Sequence, residues 1–530
     1  MAYSSQSIIQ NIIGGWSKSD IRLANLSDSL NLYQETQGDG ASASAILRSI
    51  RGTTSLLEIS GNPVCRGLFQ ASRDYAGNPV LFAVFGNKVY VIRSTESATS
   101  TLSYSATAIG QINNLSTPVG ICETGGEGSA HPHLVVVDGA QVYAVDTTLL
   151  DDDMTADWRS IDLPYRVDST SQRIQPTHCA YAYGYLIVND AGTDGFYQTY
   201  QYPFETTTSA GEIDYDIFMV NTTQYKDYGF VTYAEWQPDN LTALISNGTY
   251  IYTFGPKSTQ IFTFNDDVDC TWTSPTNTAN MIGIKAVRSL ARVGDLVFFL
   301  GASDIGQNGI YYWSGNTITK VSSPDIEREI DNMSNASDAI GQCWTENGHI
   351  FYAISFITDD ETLVYDGIEK LWHRRSSKDA TTNLQHYWRP QFATLHDQKL
   401  FFGTNDGNLI YLSDTFKEYD GRPMIRMRRS GALYNNYSPF YADAVHLVVN
   451  NGDFLNNSIS PRIMLRYAWD NGEWSNEECG LLGQIGEYGY NTDWYTLGSG
   501  KVLTLEISCS DPVNFAILNG KIQSTVMDVF

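Results

Sequence analysis

The residues best suited to chemistry are a histidine pair and two acidic runs. His131 and His133 lie two positions apart at a predicted strand, so their side chains share one face and could hold a metal ion. No further ligand follows nearby, and zinc needs three or four ligands, which favours a histidine pair at a strand edge. The acidic runs at 151–153 and 265–267 lack the 12-residue spacing and closing Glu of a calcium loop. We therefore predict no metal site.

One short stretch, WDNGEW at residues 469–474, resembles the Asp-containing turn that sialidase propellers repeat. The stretch occurs once, and its residues are spaced one position closer than in the sialidase turn. Asp-Asn-Gly between two strands is a strong hairpin signal, so we interpret the stretch as a hairpin turn. None of the eight histidines falls near a G-x-S-x-G motif, and the chain has no P-loop or G-x-G-x-x-G after a strand. Nucleophilic and phosphate chemistry therefore lack support, and we predict no catalytic or cofactor-binding residue.

A basic cluster stands out in an otherwise acidic chain. It consists of Arg422, Arg426, Arg428 and Arg429, while the whole sequence has a formal net charge of −26. Such a cluster is typical either of an interface for an acidic partner surface or of a solvated face that offsets nearby acids. We take these four arginines as candidate partner residues.

Composition limits the classes of partner. An acidic chain with a pI near 4.5 argues against general affinity for nucleic acid, because phosphate binding needs Lys and Arg to displace counterions. Seven separated cysteines with no CxxC pair suit reduced thiols in a cytosolic compartment. The sequence shows neither a secretory signal nor 18 consecutive apolar residues, so we expect a soluble protein without a membrane anchor.

The elements that position these residues come from a repeated hairpin. In LFAVFGNKVYVI, residues 81–92, two runs of strand-forming residues flank Gly86-Asn87. The pattern returns 45 to 64 residues apart, at turns that centre on Gly86, Gly139, Gly184, Gly248, Gly294, Gly348 and Asp397. A period of about 40 to 50 residues is typical of a β-propeller. We therefore predict an all-β fold built on a six- or seven-bladed β-propeller.

The repeat also sets domain boundaries. Residues 1–60 are predicted to dock to the ring, residues 61–415 to form the propeller, and residues 416–530 to form an additional C-terminal β-sandwich-like domain, a platform or nozzle. One helix is predicted in SPDIEREIDNM, with Ser323 as its cap. An insertion at about 190–235 is polar and aromatic, and we expect it outside the propeller body, in contact with a partner. Its candidate interface residues are Phe196, Tyr197, Tyr200 and Tyr202.

Several segments together resemble the tail-hub or nozzle proteins of short-tailed bacteriophages, the podovirus packaged-DNA stabilisation family. The opening NLYQETQGDGASASAILRSIRGTTSLLEI, with Asn31, Tyr33 and Glu35, is similar to the start of that family. The block YAEWQPDNLTALISNGTYIYTFGPKSTQIFTF is similar to its mid-propeller region. The matching positions there are Glu235, Pro238, Asp239, Phe254, Gly255, Ser258 and Thr259. The C-terminal PRIMLRYAWDNGEWSNEECGLLGQIGEYGYNTDWYTLG is the most specific match.

The resemblance implies a non-enzymatic virion protein of the phage tail that is assembled in the bacterial host cytoplasm. It implies a homo-hexamer below the portal and a head-to-tail adaptor, with tail fibre, spike, needle or plug proteins at its side or tip. Such a ring would extend and close the DNA channel, retain packaged DNA and conduct it during ejection, with only transient, non-specific contact to the genome. Among the matched residues, it implies turn positions at Gly52, Gly86, Gly255 and Gly472, and C-terminal core positions at Trp474 and Trp494.

Two alternatives stay open from the sequence. A carbohydrate-binding or carbohydrate-cleaving propeller, as in a receptor-binding or depolymerase tail protein, would need carboxylates and stacked aromatic rings in a propeller cleft. A host scaffold propeller of the WD or kelch kind is disfavoured because the chain lacks Trp-Asp blade ends and paired-glycine repeats.

Overall fold

A computed structural model gives the conformation of most of the chain. It describes residues 5–8, 12–18, 26–38, 44–96, 102–115, 119–125, 129–150, 157–166, 172–205, 207–208, 212–218, 230–234, 236–237, 239–266, 271–275, 278–303, 308–379, 382, 384–436, 438–450 and 460–526. Within these residues the protein is all-β with a single α-helix, α1 (Pro324–Asp331), and three short 3-10 helices at Thr147–Leu149, Val287–Ser289 and Ala336–Asp338. Ser323 caps α1 as predicted, because its Oγ accepts a hydrogen bond from the Ile326 amide.

The first six strands come before blade one in sequence and are distributed between the propeller and a C-terminal sandwich. They are β1 (Ser5–Ile8), β2 (Ser17–Lys18), β3 (Leu26–Leu30), β4 (Leu32–Thr36), β5 (Ala45–Ser49) and β6 (Gly52–Glu58).

Six consecutive antiparallel sheets follow. Blade one contains β7 (Cys65–Ala71), β8 (Val80–Phe85), β9 (Lys88–Glu96) and β10 (Leu102–Gln111). Blade two contains β11 (Gly120–Thr124), β12 (His133–Val137), β13 (Val142–Asp146) and β14 (Arg159–Ile161). Blade three contains β15 (Cys179–Ala182), β16 (Tyr185–Asn189), β17 (Gly195–Gln198) and β18 (Phe230–Tyr233). Blade four contains β19 (Ala243–Ser246), β20 (Tyr250–Phe254), β21 (Thr259–Phe264) and β22 (Trp272–Thr273). Blade five contains β23 (Ile282–Ile284), β24 (Ala291–Val293), β25 (Leu296–Ser303), β26 (Asn308–Ser314) and β27 (Thr317–Lys320). Blade six contains β28 (Ile340–Glu346), β29 (His349–Phe356), β30 (Glu361–Asp366) and β31 (Leu371–Arg374).

The seventh blade closes the ring with strands from both ends of the propeller sequence. After the small hairpin β32 (Ser376–Lys378) and β33 (Gln385–Tyr387), the chain forms β34 (Gln391–His396), β35 (Lys399–Gly403) and β36 (Asn408–Ser413). The N-terminal strand β6 then pairs antiparallel with β36, from Asn408↔Glu58 to Ser413↔Gly52. The described residues therefore form a seven-bladed propeller, and the predicted boundary at residue 60 is wrong because β6 belongs to the ring.

Apolar clusters lie between all seven pairs of neighbouring blades. Blade four, for example, packs on blade five through Tyr252, Phe254, Phe299 and Trp313, all of them buried. The blade six to seven cluster contains Tyr33 from β4, so the N-terminal segment also fills the ring. The remaining five junctions have clusters of the same kind. Because each blade buries its faces only against its neighbours, we expect the ring to fold as one unit.

The C-terminal part forms a β-sandwich with the N-terminal strands. Its strands are β37 (Glu418–Tyr419), β38 (Arg422–Pro423), β39 (Arg426–Arg429), β40 (Leu433–Tyr434), β41 (Phe440–Val449), β42 (Arg462–Trp469), β43 (Glu478–Leu481), β44 (Thr492–Tyr495), β45 (Ser499–Gly500), β46 (Val502–Cys509) and β47 (Ala516–Val526). One sheet contains β4, β5, β47, β41 and β44, and the other contains β3, β39, β46, β42 and β43. Strands β37 and β38 belong to neither sheet of the sandwich, because they extend the sheet of blade seven. The predicted boundary at 416 is thus a few residues early.

Strand β3 joins the two bodies. It pairs in parallel with β31 of blade six at Leu30↔Arg374 and antiparallel with β39 of the sandwich. Blade six and one sandwich sheet are therefore a single continuous sheet. Of the two tryptophans expected in the sandwich core, Trp494 is buried there, whereas Trp474 is only half-buried.

The described part of the chain has no helix long and apolar enough to cross a membrane. Its cysteines are free thiols, and Cys270 lies outside the described residues. The acidic run at 151–153, residue 267 of the second run, and Glu235 and Pro238 of the mid-propeller block also lie outside them.

The two histidines of the predicted strand edge have separate contacts. His131 accepts or donates a hydrogen bond with Asp146 at 2.9 Å, and His133 stacks on Phe204 at 4.1 Å between ring centroids.

Candidate partner interface

The arginine cluster is divided by the alternation of strand β39. Successive side chains of a strand point to opposite faces, so Arg426 and Arg428 face inward, while Arg429 lies on the other face. Arg426 is 0% exposed and Arg428 is 3% exposed. Both are therefore inaccessible to a partner in this fold, and the expectation that they form an interface is wrong.

The buried arginines hold the chain's own backbone instead. The Nε of Arg428 donates to the Ile12 carbonyl at 2.7 Å, and its Nη1 donates to the Gly15 carbonyl at 2.8 Å. Arg426 donates to the carbonyls of Val513, at 2.7 Å, and Asp511. Burial lowers the pKa of Arg428 to about 10. These arginines attach the N-terminal segment and a C-terminal loop to the sandwich.

The other two arginines are partly accessible. Arg429 pairs with Glu506 at 2.6 Å and lies over the Trp474 ring at 5.1 Å. Arg466 pairs with the same carboxylate, and its guanidinium lies 5.5 Å from the Trp474 ring centroid, so two arginines contact this ring and it is half-buried. Arg422 lines a surface cavity of about 270 Å³ together with His386. A role of Arg422 and Arg429 in partner binding stays a prediction.

The insertion is shorter than predicted, because its first aromatic residues belong to blade three. Phe196 and Tyr197 lie on β17, are both buried, and face opposite inter-blade cores. They pack inside the ring and cannot contact a partner, so this part of the prediction is wrong. The true insertion runs between β17 and β18, and residues 219–229 of it lie outside the described residues.

The described part of the insertion folds back onto the ring. Phe204 is 0% exposed, and Phe218 and Ile217 are also buried in the core between blades two and three. Tyr200 is half-buried, and its amide donates to the Ile217 carbonyl at 3.1 Å. Tyr202 is 55% exposed and is the predicted interface residue of this segment that the structure leaves most accessible.

Tyr202 belongs to an aromatic surface that the sequence did not indicate. Its amide donates to the Gly184 carbonyl at 2.6 Å, which brings its ring beside the turn at 183–184. There Tyr183 is 43% exposed and stacks on Phe264 of blade four at 4.7 Å between centroids. We call Tyr183, Tyr202 and Phe264 the aromatic surface. Its members come from a hairpin turn and the insertion of blade three and from strand β21 of blade four, so sequence spacing gave no signal for it.

Motif residues of the mid-propeller block have local structural roles. Asp239 accepts hydrogen bonds from the amides of Lys257 and Ser258 at 2.9 and 3.0 Å, and from the Ser258 hydroxyl at 2.8 Å. A Cβ at Gly255 would lie 2.2 Å from the Asp239 carboxylate, so only glycine fits there. These residues shape the turn that leads into β21.

A caged arginine at the junction of blades six and seven was also missed. The Arg375 guanidinium lies 4.8 to 4.9 Å from the ring centroids of Trp344, Phe351 and Trp388. Its Nε donates to Nε2 of His373 at 3.2 Å. The rings come from β28, β29 and the segment before β34, so no local pattern in the sequence points to this cage. Its role is to hold the junction together.

Comparison with solved structures gives low structural similarity. One chain of the Chaetomium thermophilum Polycomb Repressive Complex 2 bound to GSK126 has 9% identity and a TM-score of 0.39 over 69% of this chain and 98% of its own. BBS1N in complex with ARL6DN has 11% identity and a TM-score of 0.40 over 69% and 99%. A putative 6-phosphogluconolactonase from Bacteroides fragilis has 11% identity and a TM-score of 0.38 over 75% and 100%. None of these similarities supports a functional inference.

Sequence comparison is more informative. No curated protein matches the chain significantly. Residues 206–417, from the insertion to the end of blade seven, match the sequence model of the phage stabilisation family, described as "Bacteriophage P22 Gp10, beta-propeller". The matched span contains the Asp239 turn and blades four to seven, whose propeller geometry is described above. The match confirms the resemblance seen in the sequence: residues 206–417 are similar to the phage stabilisation family, and this similarity supports a phage structural protein.

Proposed function

We propose that the protein is the tail hub, or nozzle, of a short-tailed phage, a non-enzymatic homo-hexamer that closes the DNA channel after packaging. In this role six copies sit below the portal and its adaptor, retain the packaged DNA and conduct it during ejection. The observation that carries the proposal is the match of residues 206–417 to the phage stabilisation family.

The small volume of the central cavity of the propeller supports a DNA channel that lies between copies of the chain. All seven blades contribute to the lining of a central cavity of about 290 Å³. This volume is at the lower limit of small-ligand pockets, so it cannot admit a DNA duplex. If the protein surrounds DNA, the channel must be formed by several chains around a common axis, which agrees with a ring of copies.

The net charge supports passage of DNA without adhesion. At −26 for each chain, six copies carry −156 formal charges. An electronegative wall repels phosphates and does not release counterions on contact, so DNA slides past it. A strongly basic channel wall in the assembled ring would contradict this part of the proposal.

The aromatic surface is our candidate for the contact with the next tail component. Tyr183 and Tyr202 expose large aromatic side chains, and such residues are enriched at protein interfaces. We propose that a fibre, spike, needle or plug protein covers them. Arg422 and Arg429 remain candidates for a second contact, because both are partly accessible, Arg422 at the edge of blade seven and Arg429 on the sandwich.

The decisive test of the proposed function uses phage with a stop codon in this gene. We expect heads that fill with DNA and then lose it, and wild-type protein supplied in trans should restore retention. Native mass spectrometry of the purified protein with its adaptor should show six copies of the 58.9 kDa chain. Stable DNA-filled heads without the protein, or an assembly that lacks six-fold symmetry, would contradict the proposal.

The partner contact is tested separately with a double variant, Tyr183→Ser and Tyr202→Ser. Both side chains are exposed, so we expect the variant to fold normally, and phage that carry it should lose the next tail component or leak DNA. Tyr202→Phe is the matched control, since it keeps the ring and removes only the hydroxyl. Normal tails in the double variant would exclude the aromatic surface as the contact.

A further inference from the structure

The central cavity of the propeller has an unexpected charge pattern for an acidic protein. Arg66 at the start of blade one, and Arg288 and Arg292 from blade five, line it. Among the described lining residues there is no Asp or Glu. The cavity therefore gathers positive charge inside a chain whose net charge is −26.

Two of these arginines are held in place by backbone carbonyls. Nη1 of Arg66 donates to the Asn114 carbonyl at 2.7 Å and to the Gly86 carbonyl at 3.2 Å. Nη1 of Arg292 donates to the Ser246 carbonyl of blade four at 2.7 Å. Asp138 acts electrostatically on Arg66 and Asp295 acts on Arg292, and neither acid lines the cavity.

Arg288 differs from them because it has no such anchor. Within the described residues its guanidinium has no hydrogen bond or ion pair, and it lies 5.8 Å from the Phe392 ring centroid of blade seven. The side chain thus lies in the central cavity within reach of blade seven. The nearby Cys65 offers no countercharge, since burial raises the pKa of its thiol to about 12.

Arg66 and Arg288 also repel each other. Desolvation and the charge of Arg288 both lower the pKa of Arg66, and desolvation in the cavity lowers the pKa of Arg288, whose side chain keeps some contact with solvent. A bound anion would remove this penalty and would accept charge-assisted hydrogen bonds from several guanidinium groups at once. Arginine is well suited to phosphate because its planar donors match two oxygens.

We propose that the central cavity of the propeller binds a small phosphate-class anion, held by Arg66, Arg288 and Arg292. A volume of about 290 Å³ accommodates inorganic phosphate, pyrophosphate or the phosphate group of a single nucleotide, but not a nucleic acid duplex. The anion would connect blades one and five across the ring, which neighbouring-blade contacts do not do. The site stands independently of the proposed tail function, because it depends only on groups within one chain.

The test titrates inorganic phosphate into the full-length protein at constant ionic strength, followed by ³¹P NMR and by the thermal unfolding midpoint. Pyrophosphate and a deoxynucleoside monophosphate, added separately, distinguish a free phosphate from a nucleotide phosphate. We expect saturable binding that raises the midpoint, and about tenfold or greater weakening in Arg288→Gln, since one charge-assisted contact is lost. Arg462→Gln, at an exposed arginine of β42, is the matched control and should bind like the wild type.

The unfolding temperatures of the variants without phosphate test the anion site even if the anion binds weakly. In phosphate-free buffer Arg288→Gln should unfold at the wild-type temperature or above it, because it loses no hydrogen bond and relieves repulsion. Arg66→Gln should unfold earlier, because it loses two carbonyl contacts. Absence of phosphate binding to the wild type, equal binding to Arg288→Gln, or a lower unfolding temperature for Arg288→Gln would each overturn the proposal.

Discussion

Asn31 is the residue at which a small change should most affect the connection between propeller and sandwich. It is 0% exposed and lies between β3 and β4. Its Nδ2 donates to the Ile425 carbonyl at 2.8 Å, and its Oδ1 accepts from the Ser376 amide at 3.0 Å. Its backbone φ is +56°, a left-handed conformation that costs a non-glycine residue energy.

The magnitude follows from these contacts. In Asn31→Gly the Ile425 carbonyl and the Ser376 amide lose their partners in the interior, at about 1 to 3 kcal/mol for each group. We therefore expect a loss of about 2 to 6 kcal/mol in the free energy of unfolding. Asn31→Ala should lose about 1 kcal/mol more, because alanine does not tolerate a positive φ as glycine does.

The assay is urea denaturation followed by tryptophan fluorescence, with Asn62 as the matched control position. Asn62 also has a positive φ, +51°, but it is exposed and has no side-chain hydrogen bond among the described residues. Asn62→Ala should therefore report only the backbone cost, and Asn62→Gly should be near neutral. If Asn31→Gly unfolds at the same urea concentration as Asn62→Gly, the side-chain contacts of Asn31 do not hold the two bodies together.

Three further predictions follow from burial and charge. Trp494→Ala should lower the free energy of unfolding by about 3 to 5 kcal/mol, whereas Trp474→Ala should lose less, because only the first ring is buried in the core; equal thermal shifts would contradict this. Phe204→Ala should destabilise by a similar 3 to 5 kcal/mol and Tyr202→Ala should not, as measured by thermal unfolding. Burial lowers the pKa of His373 well below its ordinary value, so the unfolded chain takes up a proton below about pH 6.5 that the folded chain does not. Stability should therefore fall from pH 6.5 to 5, and His373→Gln should show a smaller decline in its unfolding temperature than the wild type.

The ring was predictable because each blade repeats one local signal. All seven predicted turn residues, from Gly86 to Asp397, have positive φ, as tight hairpins require. The unequal intervals also have a physical reason: Gly86 and Gly139 connect the second and third strands of their blades, and Gly294 connects β24 to β25, whereas the other four turns connect the first and second strands. The short interval from Gly139 to Gly184 is this change of position within the blade.

The wrong predictions concern residues whose burial or strand pairing depends on segments far away in the sequence. The Arg426 to Arg429 run was interpreted by composition, while strand alternation and the N-terminal segment, more than 400 positions away, determine which side chains are buried. Phe196 and Tyr197 have the sequence surroundings of a loop, because the insertion follows the short third strand of blade three directly. Strand β6 was assigned to a docking segment because nothing near it shows its pairing with β36.

The architecture also limits how a channel made of such chains could open. Seven inter-blade cores, closure by β6 and the continuous sheet of blade six and the sandwich leave each chain without an internal hinge among these described elements. Packed cores of this kind resist gradual deformation, since moving one blade would expose the apolar faces of two neighbours. If six copies close the DNA channel as proposed, we expect opening to move whole chains or surface loops relative to one another. A disulfide engineered between β6 and β36 should then leave ejection unchanged, and a block of ejection by this disulfide would locate the opening motion inside the propeller.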